Sequence, residues 1–421
     1  MKHISLATAL SLFLLAPLPA ESWPQFRGPG AEATLEKAAG FPLEWSASKN
    51  LKWKTELPGP GSSSPVFHGD RLFVTCYTGY AVDKREPGNP KDLGRQLLCL
   101  DRHTGRVLWK RSVDLLNRED DYRGYIMEHG YASSTPVTDG EHVFAFFGKS
   151  GVHAFTVEGK ELWQKQVGRD SGNRRWGSAA SPILHGDLLI VSAADEGRAV
   201  IAFDKKTGKE RWRYESPKLE LAYATPRIRN LKNGDPELVL AVPTVMWGID
   251  PGTGKQRWSV ATAMPGNICP SVAISGETLV AFGGYPRKST VAVRDGEIVW
   301  KGAVTTYVPT PLVFGDHLYW VNDDAEAICM EAATGKVVTK RRVEGMTGSR
   351  KRSFYASLVR VGDRLIATSR TSGVFVFEAN PEMKQVGQNV LGDESDFNAT
   401  PAVASDALYL RSNKAVYCVG K

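Results

Sequence analysis

The sequence predicts an all-β fold, an eight-bladed β-propeller with four antiparallel strands to a blade. Three observations carry this. First, a short phrase recurs eight times: "SSSPV" ending at Val66, then "SSTPV", "AASPI", "YATPR", "ICPSV", "VPTPL", "YASLV" and "NATPA" ending at Ala402. Its key positions are Pro65, Pro136, Pro182, Pro226, Pro270, Pro311, Leu358 and Pro401, 41 to 47 residues apart except for a first interval of 71. A fixed period of this length marks a repeat architecture, and four short strands per repeat mark a propeller blade. Second, a turn phrase punctuates each unit, as in "DRHTGRVLW" (101–109), "DKKTGKERW" (204–212) and "DPGTGKQRW" (250–258), with a worn copy, "EAATGKVVT", at 331–339. Third, the last unit is one strand short, and the missing strand stands before the first unit.

Within a unit the elements follow one order. After the proline comes a turn, such as "HGDR" at 68–71 or "FGDH" at 314–317. Two runs of β-branched and aromatic residues follow, "LFVTCY" and "LLCLD" in the first unit, and alternation between Gly-bearing turns is the mark of paired strands. The TG phrase then turns the chain into a fourth strand that carries Trp109, Trp163, Trp212, Trp258 or Trp300. Gly suits a hairpin position with positive φ, and the Asp four residues earlier can accept turn amides. The Trp is placed to pack between neighbouring blades. The phrase is therefore read as a corner of the fold rather than a ligand signature.

The eighth unit ends at "AVYCVGK", and "LKWKTEL" at 51–57 matches the fourth strands elsewhere. Its return to the last blade would close the ring and remove two open sheet edges. The propeller is thus expected over 51–421, preceded by an extension over 21–50. Residues 1–20 read as a secretory signal: Lys2 and His3, the apolar run "ISLATALSLFLLA", then "PLPA", with cleavage after Ala20. No other stretch is apolar enough to span a membrane, and no cysteine stands near the cleavage point to carry a lipid anchor. The expectation is an exported, soluble, monomeric protein of the periplasm or the extracellular space.

The 421 residues are 42% apolar and 24% charged, the balance of a folded globular chain. The net charge of +7 is spread along the chain, which fits a solvated basic surface, and no nucleic-acid motif or partner is indicated. Five cysteines are an odd number for an exported protein. Cys99, Cys329 and Cys418 align with Ala154, Ala202, Gly248 and Ala292 of other units, a slot for small buried side chains. Cys76 pairs with Cys99 if the register allows, and Cys269 stands alone in a loop.

The repeat Asp-x-x-Thr-Gly-Lys-x-x-Trp resembles that of the pyrroloquinoline quinone (PQQ)-like propellers, over about residues 51–421. Two branches of that superfamily bear on function: quinoprotein dehydrogenases with PQQ and calcium in the channel, and non-catalytic propellers such as the lipoprotein of the outer-membrane barrel assembly machinery. The opening "WPQFRGPG" (23–30), with "HGYASSTP" and "FGKSG", is similar to secreted PQQ-like propellers without an established activity. The dehydrogenase pattern implies a catalytic Asp, a stacking Trp, a calcium set and, in many, adjacent cysteines. This chain has no Cys-Cys pair. Trp247 is the residue that would stack a ring, and Glu128, Asn267 and Asp323 are the calcium candidates. The expectation is a non-catalytic binding or scaffold module without cofactor, the alternative being a PQQ- and calcium-dependent oxidoreductase of alcohols or sugars.

The longer, more varied loops lie on the face opposite the TG turns, which is where binding residues belong. Residues leading into each inner strand should rim the channel there: Tyr131, Trp176, Tyr223, Tyr307, Tyr355 and Phe397, accompanied by Glu128, His129, Arg175 and Arg352. Two roles fit these aromatics, blade-to-blade packing and the wall of a funnel for a sugar, a peptide or an aromatic ligand. The partner expected is an envelope protein, a peptide or a carbohydrate.

Overall fold

The structure is a computed structural model and describes residues 20–37, 41–283, 287–349 and 351–421. The expected signal, apart from Ala20, lies outside these residues, as does Arg350. Eight sheets of four antiparallel strands follow one another around a ring, and in the first seven the four strands run from the inner to the outer edge in chain order. The eighth joins Ala402–Val403, Ala407–Arg411 and Ala415–Gly420 to Leu51–Glu56, which pairs antiparallel with the C-terminal strand. The ring closes as the repeat requires.

The TG turn is built as its residues dictate. The Asp204 carboxylate accepts from the Lys206 amide, the Thr207 amide and the Thr207 hydroxyl at 2.9 to 3.2 Å. Asp101 does the same with His103 and Thr104. Five outer-strand Trp residues reach the turn between the third and fourth strands of the following blade. Trp53, Trp109, Trp163, Trp212 and Trp300 donate Nε1 to carbonyls of Arg102, Val157, Lys205, Pro251 and Ala332, at 2.9 to 3.1 Å. The seam between blades 4 and 5 departs from this. Trp258 donates instead to Glu237 of its own sheet at 2.9 Å, and Gly296, the turn glycine of blade 5, has no neighbour within 4 Å of a virtual Cβ.

The small-residue slot has a geometric cause. Cys99, Ala154, Ala202, Gly248, Ala292 and Cys418 each stand opposite the outer-strand Trp, immediately before the bulge of the outer pairing. Cys329 faces Thr339. The Cys76–Cys99 pairing is overturned by the register: Cys76 lies opposite Gln96 and Cys99 opposite Phe73. The two thiols face different clusters, Cys76 beside Leu72 and Val74, Cys99 beside Phe73 and Leu97, because side chains alternate along a strand. All five cysteines are free.

The extension is part of the ring. Ser22–Trp23 adds an antiparallel strand to the inner edge of blade 1, and Thr34–Leu35 adds a parallel one to the inner edge of blade 7. Between them the chain crosses the channel on the TG side. Beyond it, the Trp45 amide donates to Asn389 at 2.8 Å on the outer strand of blade 7, which leads into the closing strand. Sequence reasoning gave this segment no structural role, since two-residue strands carry no periodicity.

Candidate functional site

The recurring lead-in phrase places one hydroxyl per blade around the axis: Ser64, Thr135, Ser181, Thr225, Ser271, Thr310, Ser357 and Thr400. The fifth unit is corrected here: Ser271 and Val272, rather than Cys269 and Pro270, take the positions held by Ser181 and Pro182, since their strands begin at Ala273 and Ile183. Six of the eight hydroxyl oxygens, all but those of Ser64 and Ser271, accept the amide of the preceding blade's counterpart. Ser64 donates to Thr135, Thr135 to Ser181, and Ser181 to Thr225. Ser271 donates to Thr310, Thr310 to Ser357, and Ser357 to Thr400, all six links at 2.9 to 3.0 Å. At the seam of blades 8 and 1, buried Arg411 donates to the Ser63 carbonyl at 2.7 Å and to that of Thr75.

Seven of these hydroxyls, all but Ser271, line an axial cavity of about 150 Å³. Phe26 of the extension also lines it, from the TG side. The crossing segment is held there by buried arginines: Arg27 donates to the Pro311 carbonyl at 3.0 Å, and Arg227 to Glu32 at 2.7 Å. Arg360 pairs with Glu36 at 2.6 Å. Burial first, then the neighbouring Arg227 charge, pull the Arg27 guanidinium down to about 9.

Tyr125 lies over the opposite end. It stands at the head of the one-turn helix Ile126–His129, in the long connection between blades 1 and 2. Its ring sits 4.4 Å from that of Trp176 and 5.8 Å from that of Tyr307, and the Arg352 guanidinium lies 5.1 Å above it. The mouth is thus covered by aromatics contributed from across the ring.

The charges beside the cavity are neutralised in place. Glu128 pairs with Arg370 at 2.8 Å and with Arg352 at 3.6 Å. Arg370 also bridges to Asp396 at 2.9 Å, which takes Lys84 at 2.8 Å. Burial disfavours the Arg370 charge, but Asp396 and then Glu128 outweigh it and hold the guanidinium protonated. Burial also works against the Asp396 charge, and Arg370 with Lys84 more than compensates. His129 is lowered by burial, so its ring is neutral, with Nε2 2.9 Å from the Trp176 carbonyl. Cys269, also on the wall, is pushed up to about 12 by burial.

Among the residues singled out from sequence, Glu128, His129, Trp176, Tyr223, Tyr307 and Tyr355 come together on the cavity wall. Arg352 is above it, on Tyr125. The others stand elsewhere. Tyr131 is buried among Tyr77, Tyr80 and Tyr122, and its hydroxyl donates to the Asp120 carbonyl at 2.8 Å. Phe397 stacks on Tyr417 in blade 8, and Arg175 is exposed beside Trp176 without lining the cavity. Trp247 packs across the seam of blades 3 and 4 against Tyr214, 5.2 Å away, because its place on a third strand directs it into the blade-to-blade packing. Sequence reasoning missed Phe26, Tyr125, Asn398 and Arg370. The hydroxyls were visible as a repeating Ser/Thr, but a period reports fold and is silent on what faces the axis.

The calcium candidates do not converge. Glu128 and Asn267 both line the cavity, but Glu128 is taken by arginines and the Asn267 amide donates to Tyr307 at 3.1 Å. Asp323 is outside, paired with Lys288 at 2.8 Å. No group of three or more His, Cys, Asp or Glu poised for a metal occurs among the described residues.

Among the described residues no helix is long and apolar enough to cross a membrane. Comparison with known proteins agrees with the architecture. The chain is 27% identical over 158 residues to the outer membrane protein assembly factor BamB of Burkholderia pseudomallei, covering 38% of this chain and 31% of that one. It is 22% identical over 391 residues to a polyvinylalcohol dehydrogenase of a Pseudomonas species, covering 68% and 60%. The chain thus spans less than two thirds of the length of either relative. Among solved structures, BamB from Moraxella catarrhalis superposes with a TM-score of 0.60 at 12% identity, over 88% of this chain and 99% of that one. The quinohemoprotein alcohol dehydrogenase of Comamonas testosteroni gives 0.61 at 11% identity, over 95% and 81%. At such identities these two likenesses concern the fold alone. The family model described as outer membrane protein assembly factor BamB matches residues 43–175, 94–341 and 248–421, and the chain belongs to that family of PQQ-like propellers.

Proposed function

We propose that the protein is an exported, non-catalytic propeller of the cell envelope that binds a ligand or a protein partner through the face opposite the TG turns. The observation that carries this reading is the pairing of Glu128 and Asp396 through Arg370 beside the axial cavity. A general base or a calcium ligand needs a free carboxylate within reach of the reacting atoms. Here both carboxylates at the mouth are held by arginine, and the other groups on the wall are hydroxyls, amides, aromatic rings, a neutral imidazole and the Cys269 thiol, which burial keeps protonated. The same features suit recognition, where a rigid ring presents aromatic faces with a few convergent polar groups.

The competing reading is a PQQ- and calcium-dependent dehydrogenase, favoured by the dehydrogenase relative. Purified protein incubated with PQQ and calcium separates the two. The expected result is an unchanged quinone spectrum and no dye reduction with alcohols or sugars. A stoichiometric, calcium-dependent complex with turnover overturns the proposal. For the scaffold form of the reading, capture of a defined envelope protein should be lost on the charge reversal Arg352→Glu.

A further inference from the structure

The axial cavity combines three features that are independent of one another. Its volume of about 150 Å³ is that of a space which takes a single six-membered ring. Its ends are aromatic: Phe26 on the TG side, and Tyr125 with its neighbour Trp176 at the mouth. Its girth is a belt of hydroxyls, one from each of seven blades.

The belt has a defined polarity. In Thr135, Ser181, Thr225, Thr310, Ser357 and Thr400 the oxygen already accepts a backbone amide from the neighbouring blade. None of the six donates its own proton within the described residues, so each O–H is left to serve the cavity. Two further polar groups on the wall have no partner although buried, the Asn398 carbonyl oxygen and the Tyr355 hydroxyl. Buried polar groups left without partners are costly, at about 1–3 kcal/mol each, and are normally answered by water or by a ligand. The wall therefore offers several donors, an amide acceptor and a phenol that serves as either.

From this geometry we infer that the cavity takes one neutral pyranose ring, a monosaccharide or the terminal unit of a glycan, lying across the propeller axis. The inference rests on the binding-module reading above. A pyranose carries apolar C–H groups on its two faces and oxygens around its edge. Its faces match Phe26 below and Tyr125 with Trp176 above, and its edge matches the hydroxyl belt. A flat aromatic ring would satisfy the ends and leave the belt unpaired. A charged ligand meets no free counter-charge, since Glu128 and Arg370 neutralise one another and the His129 ring is uncharged. The Arg352 contact on the Tyr125 ring and the Glu128–Arg370 pair next to it brace the connection at the mouth.

The test is calorimetry and Trp fluorescence on the intact chain, with methyl glucoside and N-acetylglucosamine as probes and glucuronate and benzyl alcohol as comparators. Saturable binding of at least one neutral sugar is expected, at least tenfold tighter than glucuronate. The variant Ala179→Phe fills the cavity without removing a hydrogen bond and should weaken that binding at least tenfold at unchanged melting temperature. If Ala179→Phe is itself destabilised, Tyr355→Phe, which removes a hydroxyl without a partner and leaves the volume nearly intact, should weaken sugar binding and spare benzyl alcohol. Binding of benzyl alcohol without any sugar, or sugar binding that both variants leave unchanged, overturns the sugar assignment. Either result leaves the binding-module reading in place, which only turnover with PQQ and calcium removes.

Discussion

The indole of Trp163 lies against Gly208 of the next blade, close enough that a Cβ on the glycine would stand 2.6 Å from the ring, and its Nε1 donates to Lys205 at 3.0 Å. The same glycine has a φ of +67°. Two constraints therefore meet on one residue, backbone handedness and the docking of a neighbouring blade. Trp53 on Gly105 and Trp212 on Gly254 repeat the arrangement, each with 2.6 Å to a virtual Cβ.

Gly208→Ala should consequently lose stability on both counts, by about 2–5 kcal/mol when the strained φ and the displaced indole are taken together. Gly315 has a φ of +57° and no neighbour within 4 Å of a virtual Cβ. Gly315→Ala should therefore cost only the backbone term, about 1 kcal/mol. Urea titration of the two variants measures the difference. Equal losses would show that the indole contact adds nothing.

The hydroxyl belt makes a second prediction. Thr225→Val keeps the shape of the side chain and removes the acceptor of the Ser181 amide. Leaving that buried donor unpaired should cost about 1–3 kcal/mol. Ser271→Ala removes a hydroxyl that accepts no such amide among the described residues and should change stability by less than about 0.5 kcal/mol. A reversal of this order in denaturant midpoints would disprove the link between neighbouring blades.

Stability should fall as pH rises through the neutral range. Burial, reinforced by the charge of Asp195, lifts Glu196 from 4.5 to about 8, and burial lifts Asp195 from 3.8 to about 6. Between the unfolded and folded values the native state binds more protons than the unfolded chain, so the stability slope with pH is negative. For Glu196 the window runs from about 4.5 to about 8. His129 acts in the opposite sense, because its lowered value costs stability as pH falls below about 6.5. The Glu196 contribution is therefore read as the difference between the wild type and Glu196→Gln. The variant should melt higher at pH 8 and converge on the wild type near pH 4.5. A constant difference across that range would refute the assignment.

The five thiols should behave as a reduced, unreactive set. Burial raises Cys76 and Cys329 to about 11 and Cys99, Cys269 and Cys418 to about 12. A thiol-specific reagent at pH 8 should leave the native protein unlabelled and count five thiols after unfolding, since the thiolate is the reacting species. A reductant should not shift the melting temperature. Three thiols after unfolding would restore a disulfide.

Blade number, strand order and ring closure were all legible in the chain, because each rests on a local pattern: a period, a TG turn, a strand such as Leu51–Glu56 whose Trp53 matches Trp109 and Trp163. The cavity wall was legible in part. Tyr223, Tyr307 and Tyr355 precede inner strands and reach the axis, whereas Tyr131 and Phe397, placed by the same rule, turn into the packing beside Tyr77 and Tyr417. A rim position fixes where a backbone stands and leaves the rotamer to its neighbours.

Sequence alone determined that this chain is a closed eight-bladed ring and which face carries the varied loops, because repeated short-range chemistry specifies strands and turns wherever it recurs. The ends of the cavity were decided only by the tertiary structure. Phe26 stands at one end and Tyr125 at the other because a non-repeating extension crosses the channel and a long connection folds back over it. Both depend on contacts between residues hundreds of positions apart, such as Arg27 with Pro311 and Tyr125 with Arg352, and no local period records a pairing made once.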